Sequence, residues 1–198
     1  GVVVSNFVVS LPPLWAAKYG EGAVSAFGYA YRLHSSALQL LVIACSTVIL
    51  ARFSNLVARN ELRAVRGILV KVGIFSFTIS GLGILAVWQF GAACLEFLFG
   101  GRFDSVAAVR VADHWLLLTL GLPFAMLGNV FAKLWQAQER PKLISVMASV
   151  SFLTLVAIYY LTNDYLNEFS LAVAISMAGF SVFVGGIFFI GITKRHKL

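Results

Sequence analysis

Gly20-Glu21-Gly22-Ala23-Val24-Ser25-Ala26-Phe27-Gly28-Tyr29-Ala30-Tyr31-Arg32-Leu33-His34-Ser35 opens an apolar run that continues to Ala51. Between Ala23 and Ala51 the only formal charge is Arg32. A membrane helix needs about 20 predominantly apolar residues, so this run can cross a bilayer with residues to spare. A surface helix of a soluble domain would carry charged side chains along its outer face. The stretch therefore sets the class of the protein: a membrane helix with an arginine inside it.

The rest of the chain agrees. Of 198 residues, 60% are hydrophobic and 12% charged, and the mean hydropathy is +0.91. Soluble domains are about 45–50% apolar and about 25% charged, so a soluble enzyme domain, a disordered tail and a disulfide-stapled secreted module are all excluded. The net charge of +7 is spread between apolar runs, as membrane orientation requires, and does not form the clustered footprint of a nucleic-acid binder. Cys45 and Cys94 lie far apart in apolar surroundings and read as small buried hydrophobes.

Reading outward from the opening stretch, the whole chain, residues 1–198, forms one all-α, polytopic membrane helix bundle. Its six spans lie at about 1–17, 23–51, 67–88, 113–134, 143–161 and 169–192. The first begins inside an apolar run with no initiator Met, and reads as the tail of a helix cut by the start of the sequence. Arg52 to Arg66 reads as a short amphipathic connection on the membrane surface, and Gly91 to Phe99 as an interfacial segment. Pro141 breaks the connection between the fourth and fifth spans.

Alternate connections carry Arg52, Arg59, Arg63, Arg66 and Lys71, then Lys133, Arg140 and Lys142, then Lys194, Arg195 and Lys197. The opposite connections carry only Lys18, Arg102 and Arg110. This asymmetry assigns the richer side to the cytoplasm. The acidic turn from Asn163 to Glu168 then falls outside.

Arg32 is the one cation left inside a span, where an arginine costs about 2.5–3.5 kcal/mol on the lenient insertion scale. Ser25, Gly28, Arg32, Ser35, Gln39 and Ser46 recur at intervals of three, four or seven and share a helical face. The opposite face carries Val24, Phe27, Tyr31, Leu38 and Leu41. Such a helix would turn its apolar side to lipid and its polar side to a wet, protein-lined interior. Arg32 either snorkels to the outer interface or pairs with an acidic residue for packing, or else serves as a cavity-facing cation for an anionic group. The polar stripe favours the last, and guanidinium suits phosphate through its planar two-point fork. His34 points to a different face and reads as a packing residue. Gly73, Ser76, Ser80 and Gly83 on the third span, with Ala174, Ala178 and Gly185 on the sixth, offer close-packing positions.

The stretch from Gly20 to Leu33 resembles a motif of the MurJ/MviN family, G-x-G-A-[IV]-S-A-x-x-Y-A-x-R-L, within the multidrug/oligosaccharidyl-lipid/polysaccharide exporter superfamily. Thr47-Val48-Ile49-Leu50 with Arg52-Phe53-Ser54, Leu98-Phe99-Gly100-Gly101-Arg102-Phe103 and Leu120-Gly121-Leu122-Pro123-Phe124 are similar to further segments of that family. The resemblance implies a two-lobe transporter with two extra helices, of which this chain is the second lobe. It would flip the lipid-linked peptidoglycan precursor (lipid II) across the bacterial cytoplasmic membrane. The implied partners are that lipid-linked saccharide, membrane lipids and an N-terminal lobe of the same protein. The family arginine thought to engage the precursor's pyrophosphate matches Arg32, with Ser25, Gly28, Ser35 and Gln39 beside it as substrate-facing positions. The chain departs from the family at Ala51 and Ser35-Ser36-Ala37, where Pro is common. It departs again at Gln136-Ala137-Gln138-Glu139-Arg140-Pro141, where Asp and Thr are common.

Those departures keep open a flippase for another lipid-linked oligosaccharide, of an exopolysaccharide or O-antigen pathway. A cation-coupled drug exporter of the same superfamily would be expected to hold a carboxylate inside a span, and none falls there. An integral-membrane enzyme would need convergent acids or histidines. His34, His114, His196 and the eight acids form no such set, nor one with metal-ligand spacing. No cofactor and no catalytic residue are expected.

Overall fold

The computed structural model describes residue 12, residues 14–99 and residues 104–195, without the side chains of residues 21, 43–47 and 191–195. From residue 21 on, the described residues form six α-helices: α1 Glu21–Ala58, α2 Leu62–Phe99, α3 Ser105–Leu120, α4 Leu122–Ala137, α5 Pro141–Leu166 and α6 Ser170–Arg195. A single 3-10 turn, Ala17–Tyr19, leads into α1, and another, Asn167–Phe169, joins α5 to α6. Of the expected span 1–17, only residue 12 and residues 14–17 are described. Among the described residues there is no strand.

The helices stop where local chemistry stops them. Asn60 (φ 58°) follows α1 and Glu139 (φ 56°) follows α4. In each case the next amide reaches back five residues, Glu61 N to Leu56 O and Arg140 N to Trp135 O, both 2.9 Å. That pattern closes a helix through one left-handed residue. Asp104 starts α3 by accepting the Ala107 amide at 2.7 Å, satisfying one of the donors that every helix N-terminus leaves open. Pro141 opens α5 at its first turn, where its missing N–H costs nothing.

Two of the expected connections prove to be helix. α1 and α2 each run 38 residues, about 57 Å at 1.5 Å per residue, against a hydrocarbon core of about 30 Å. The stretch 52–66 is not a separate surface segment: α1 continues to Ala58 and α2 starts at Leu62, with a three-residue turn between them. Likewise 91–99 is the last part of α2. Arg52, Arg63 and Arg66 therefore ride on helix ends, and Arg59 sits in the turn between them.

The expected fourth span is two helices. α3 and α4 meet at Gly121 with a 42° bend. Pro123 has no N–H to give the Thr119 carbonyl, which breaks the ladder. α6 fills the bend: a Cβ on Gly121 would lie 2.7 Å from the Ser176 Cα, and the Ser176 hydroxyl donates to the Leu117 carbonyl at 2.7 Å.

By length and composition, α2 and the α5–α6 pair are apolar enough to cross a membrane, and α3 with α4 is so when taken as one bent span. α5 packs along α6, α3 lies on α2, and α1 lies on α3 and α4. Several apolar clusters result, two of them at opposite ends of the bundle. One joins Phe53, Val65, Val130 and Leu134 beside the basic turns. The other joins Ala26, Ala30, Leu95, Ala108, Val111 and Ala172 at the far end. Two small residues of α2 lie at its seam with α3, Gly83 against Thr119 and Gly91 against Ala112, whereas a Cβ on Gly73 would meet nothing within 4 Å. Cys94 is exposed rather than buried, because it stands one residue, about 100° of helix, from the buried Leu95. The Cys45 side chain lies outside the described residues.

Candidate functional site

α1 carries the stripe singled out in the sequence, and its unbroken geometry keeps those positions on one face. Ser25, Arg32 and Gln39 are exposed; Gly28 and Ser35 are half-buried. Seven residues turn an α-helix by about 700°, so Ser25, Arg32 and Gln39 drift only about 20° at each step. The Ser35 hydroxyl donates to the Arg32 carbonyl at 3.1 Å. A Cβ on Gly28 would meet nothing within 4 Å, so the surface beside Arg32 is open. Tyr29 flanks the stripe, its ring set edge-on against Phe99 at 5.4 Å. Ser46 lies outside the described side chains.

The opposite face overturns one expectation. Val24, Phe27 and Tyr31 do not look out to lipid. Phe27 is fully buried with Leu155, Leu171 and Ala174, and Val24 and Tyr31 pack against that cluster. Ala23, Ala26 and Ala30 beside them are buried too. Their small side chains let α1 come close to its neighbours, so the apolar face is the one that builds the bundle. The polar face is thereby left on the outside. His34 is on the buried side, as its spacing from Arg32 predicts.

Arg32 has no carboxylate partner among the described side chains. The one ion pair among them is Arg110 with Glu168, and every other described carboxylate is exposed. A guanidinium on an open polar face, with no carboxylate beside it among the described side chains, can meet an anion supplied from outside the bundle.

The sequence did not single out the network that positions this helix. Arg110 Nε donates to Glu168 Oε1 at 2.7 Å, and Nη2 donates to Oε2. The same guanidinium lies over Gly22, where a Cβ would be 3.0 Å from Nη1. Gly20 has φ 92°, open to glycine at little cost. Both glycines of the Gly20-Glu21-Gly22 motif thus have a backbone reason. Nearby, Tyr19 donates its hydroxyl to Asn163, and Trp15 stacks on Tyr159 at 4.3 Å between centroids. No short-range pattern could have revealed contacts made 58 and 144 residues apart.

Three comparisons with known proteins bear on this arrangement. A search of curated protein sequences gives no match. A solved structure titled "Lipid II flippase MurJ, inward closed conformation" superposes with a TM-score of 0.81 at 19% identity, over 96% of this chain. The chain spans 40% of the length of that structure. The family model described as "Lipid II flippase MurJ" matches residues 3–198, nearly end to end, and the chain therefore belongs to the lipid II flippase MurJ family.

Proposed function

We propose that this chain forms the second lobe of a two-lobe flippase that moves lipid II, the polyprenyl-diphosphate-linked peptidoglycan precursor, across the bacterial cytoplasmic membrane. The observation that carries the reading is the outward-facing polar stripe of α1, with Arg32 at its centre and no carboxylate partner for it among the described side chains. In alternating access, two lobes rock about a site at their interface. A lobe made for that task must bury its apolar faces against itself and keep a polar face for its partner. α1 has that division. Arg32 would hold the diphosphate by a two-point, charge-assisted hydrogen bond, and Ser25, Ser35 and Gln39 would line the path beside it. Gly28 leaves room for the headgroup.

The end carrying the α1–α2 and α4–α5 turns would face the cytoplasm, because its basic residues outnumber those at the other end. Transport of this kind breaks and forms no covalent bond, so the protein would act as a carrier and not as an enzyme. A flippase for a different lipid-linked saccharide would use the same face, but the family model is that of the lipid II flippase.

The test is rescue of a strain depleted of its own lipid II flippase by the full-length protein. Arg32→Ala is expected to abolish rescue at unchanged membrane abundance. Full rescue by that variant overturns the assignment of Arg32. Failure of the unmodified protein to rescue, alongside accumulation of a different lipid-linked saccharide when its gene is deleted, overturns lipid II as the substrate.

A further inference from the structure

α2, α4 and α6 enclose a cleft that the proposed transport path does not use. It consists of two adjoining cavities that share Arg66, Leu69 and Ile190. The larger, about 690 Å³, is lined by Gly73, Phe77, Leu127, Phe131 and Phe183 among others. The smaller, about 290 Å³, lies at the basic end and adds Arg63, Trp135 and Gln138. The cleft thus has an apolar body and a cationic mouth.

Three features of this cleft say what fits it. Arg63 and Arg66 stand three residues apart, on one face of the first turns of α2, and both are exposed. Neither is in the one ion pair found among the described residues. The two carboxylates at this end, Glu61 and Glu139, line neither cavity. From Arg66 to Phe77 is eleven residues, about 17 Å of helix rise, which is close to half of a hydrocarbon core about 30 Å thick. The cleft is therefore one leaflet deep, with its cations at the surface of that leaflet.

We propose that this cleft binds one anionic glycerophospholipid from the leaflet at the basic end of the bundle. Its phosphodiester sits between Arg63 and Arg66, and an acyl chain fills the space between Gly73, Phe77, Phe131 and Phe183. Guanidinium groups favour such a headgroup by charge and by paired N–H donors. Basic pockets between membrane helices on the cytoplasmic side are built for this chemistry. The site uses α2, α4 and α6, whereas Arg32 lies on α1, so this lipid is bound separately from the transported one. The inference does not depend on Arg32 or on the identity of the transported lipid.

The test uses the full-length protein in bilayers of equal parts phosphatidylglycerol and phosphatidylcholine, with retained lipid identified by native mass spectrometry after extraction. The intact protein is expected to keep phosphatidylglycerol selectively. Replacing both Arg63→Gln and Arg66→Gln is expected to lower that selectivity by at least about tenfold, because it removes the charge-assisted hydrogen bonds to the phosphodiester that only the arginines lining the cleft make. Arg52→Gln with Arg59→Gln removes the same charge from the same end without touching the cleft, and is expected to change little. Gly73→Leu fills open space, since a Cβ there meets nothing within 4 Å, and is expected to expel the lipid from a folded protein. Arg32→Ala is expected to retain it. Equal loss in the Arg52/Arg59 control, unchanged selectivity in the Arg63/Arg66 variant, or equal retention of phosphatidylcholine would each overturn the proposal. So would a wild-type protein that holds no phospholipid because another segment covers the cleft, or one that holds only a polyprenyl-linked lipid there.

Discussion

Arg110 and Glu168 meet across 58 residues of chain in a two-point ion pair, and the same Arg110 guanidinium covers Gly22 at the first turn of α1. One side chain thus ties α3, the α5–α6 turn and the start of the helix that carries Arg32. The pair is only partly shielded, with Arg110 37% and Glu168 15% exposed, so solvent screens much of its attraction.

A double-mutant cycle with Arg110→Ala and Glu168→Gln should report a coupling of about 1 kcal/mol in the unfolding of the detergent-solubilised protein. The coupling should shrink in high salt. Strict additivity of the two variants would show that the pair holds nothing.

Gly121 and Gly67 make a matched comparison. A Cβ at Gly121 would press on the Ser176 backbone at 2.7 Å, whereas one at Gly67 meets nothing within 4 Å. Gly121→Ala should destabilise by about 1–3 kcal/mol through overpacking. Gly67→Ala should be neutral or stabilise by up to about 1 kcal/mol through helix propensity. Thermal melts that rank the two variants the other way would refute the packing of α6 into the α3–α4 bend.

Ser76 and Ser80 are buried, and their hydroxyls have no partner among the described residues. A buried hydroxyl left unpaired costs about 1–3 kcal/mol. Replacing either with alanine should leave stability unchanged or raise it. A clear loss in the melting temperature would mean that each hydroxyl is satisfied by an ordered water.

Arg32→Lys keeps the charge and loses the planar fork. Rescue of a depleted strain by this variant should be weaker than by the parent and stronger than by Arg32→Ala. Equal rescue by lysine and arginine would show that charge alone is used.

Single cysteines at Asn60 and at Asp164, in a background with Cys45 and Cys94 removed, test the orientation. A membrane-impermeant thiol reagent added to intact cells should label position 164 and spare position 60. The reverse pattern would turn the bundle over.

Composition and the spacing of apolar runs were enough to read an all-helical membrane bundle and the turns after α4 and α5. Those features are set locally, by burial per residue and by the few residues able to stop a helix. The shared face of Ser25, Arg32 and Gln39 was equally legible, because helical periodicity alone places it. How far α1 and α2 extend was not. An apolar window finds the part of a helix that matches the bilayer, and the polar turns that project beyond it look like loops until their backbone is seen.

The direction each face looks was decided only in three dimensions. An apolar stripe is drawn equally to lipid and to another helix, so the sequence could not say that Val24, Phe27 and Tyr31 pack inward. The close approach allowed by Ala23, Ala26 and Ala30 settles that, and it leaves Arg32 on the outer face of the bundle. The Arg110–Glu168 tie and the cleft between α2, α4 and α6 belong to the same class. They join residues far apart in the chain, and only the folding of the helices against one another brings those residues together.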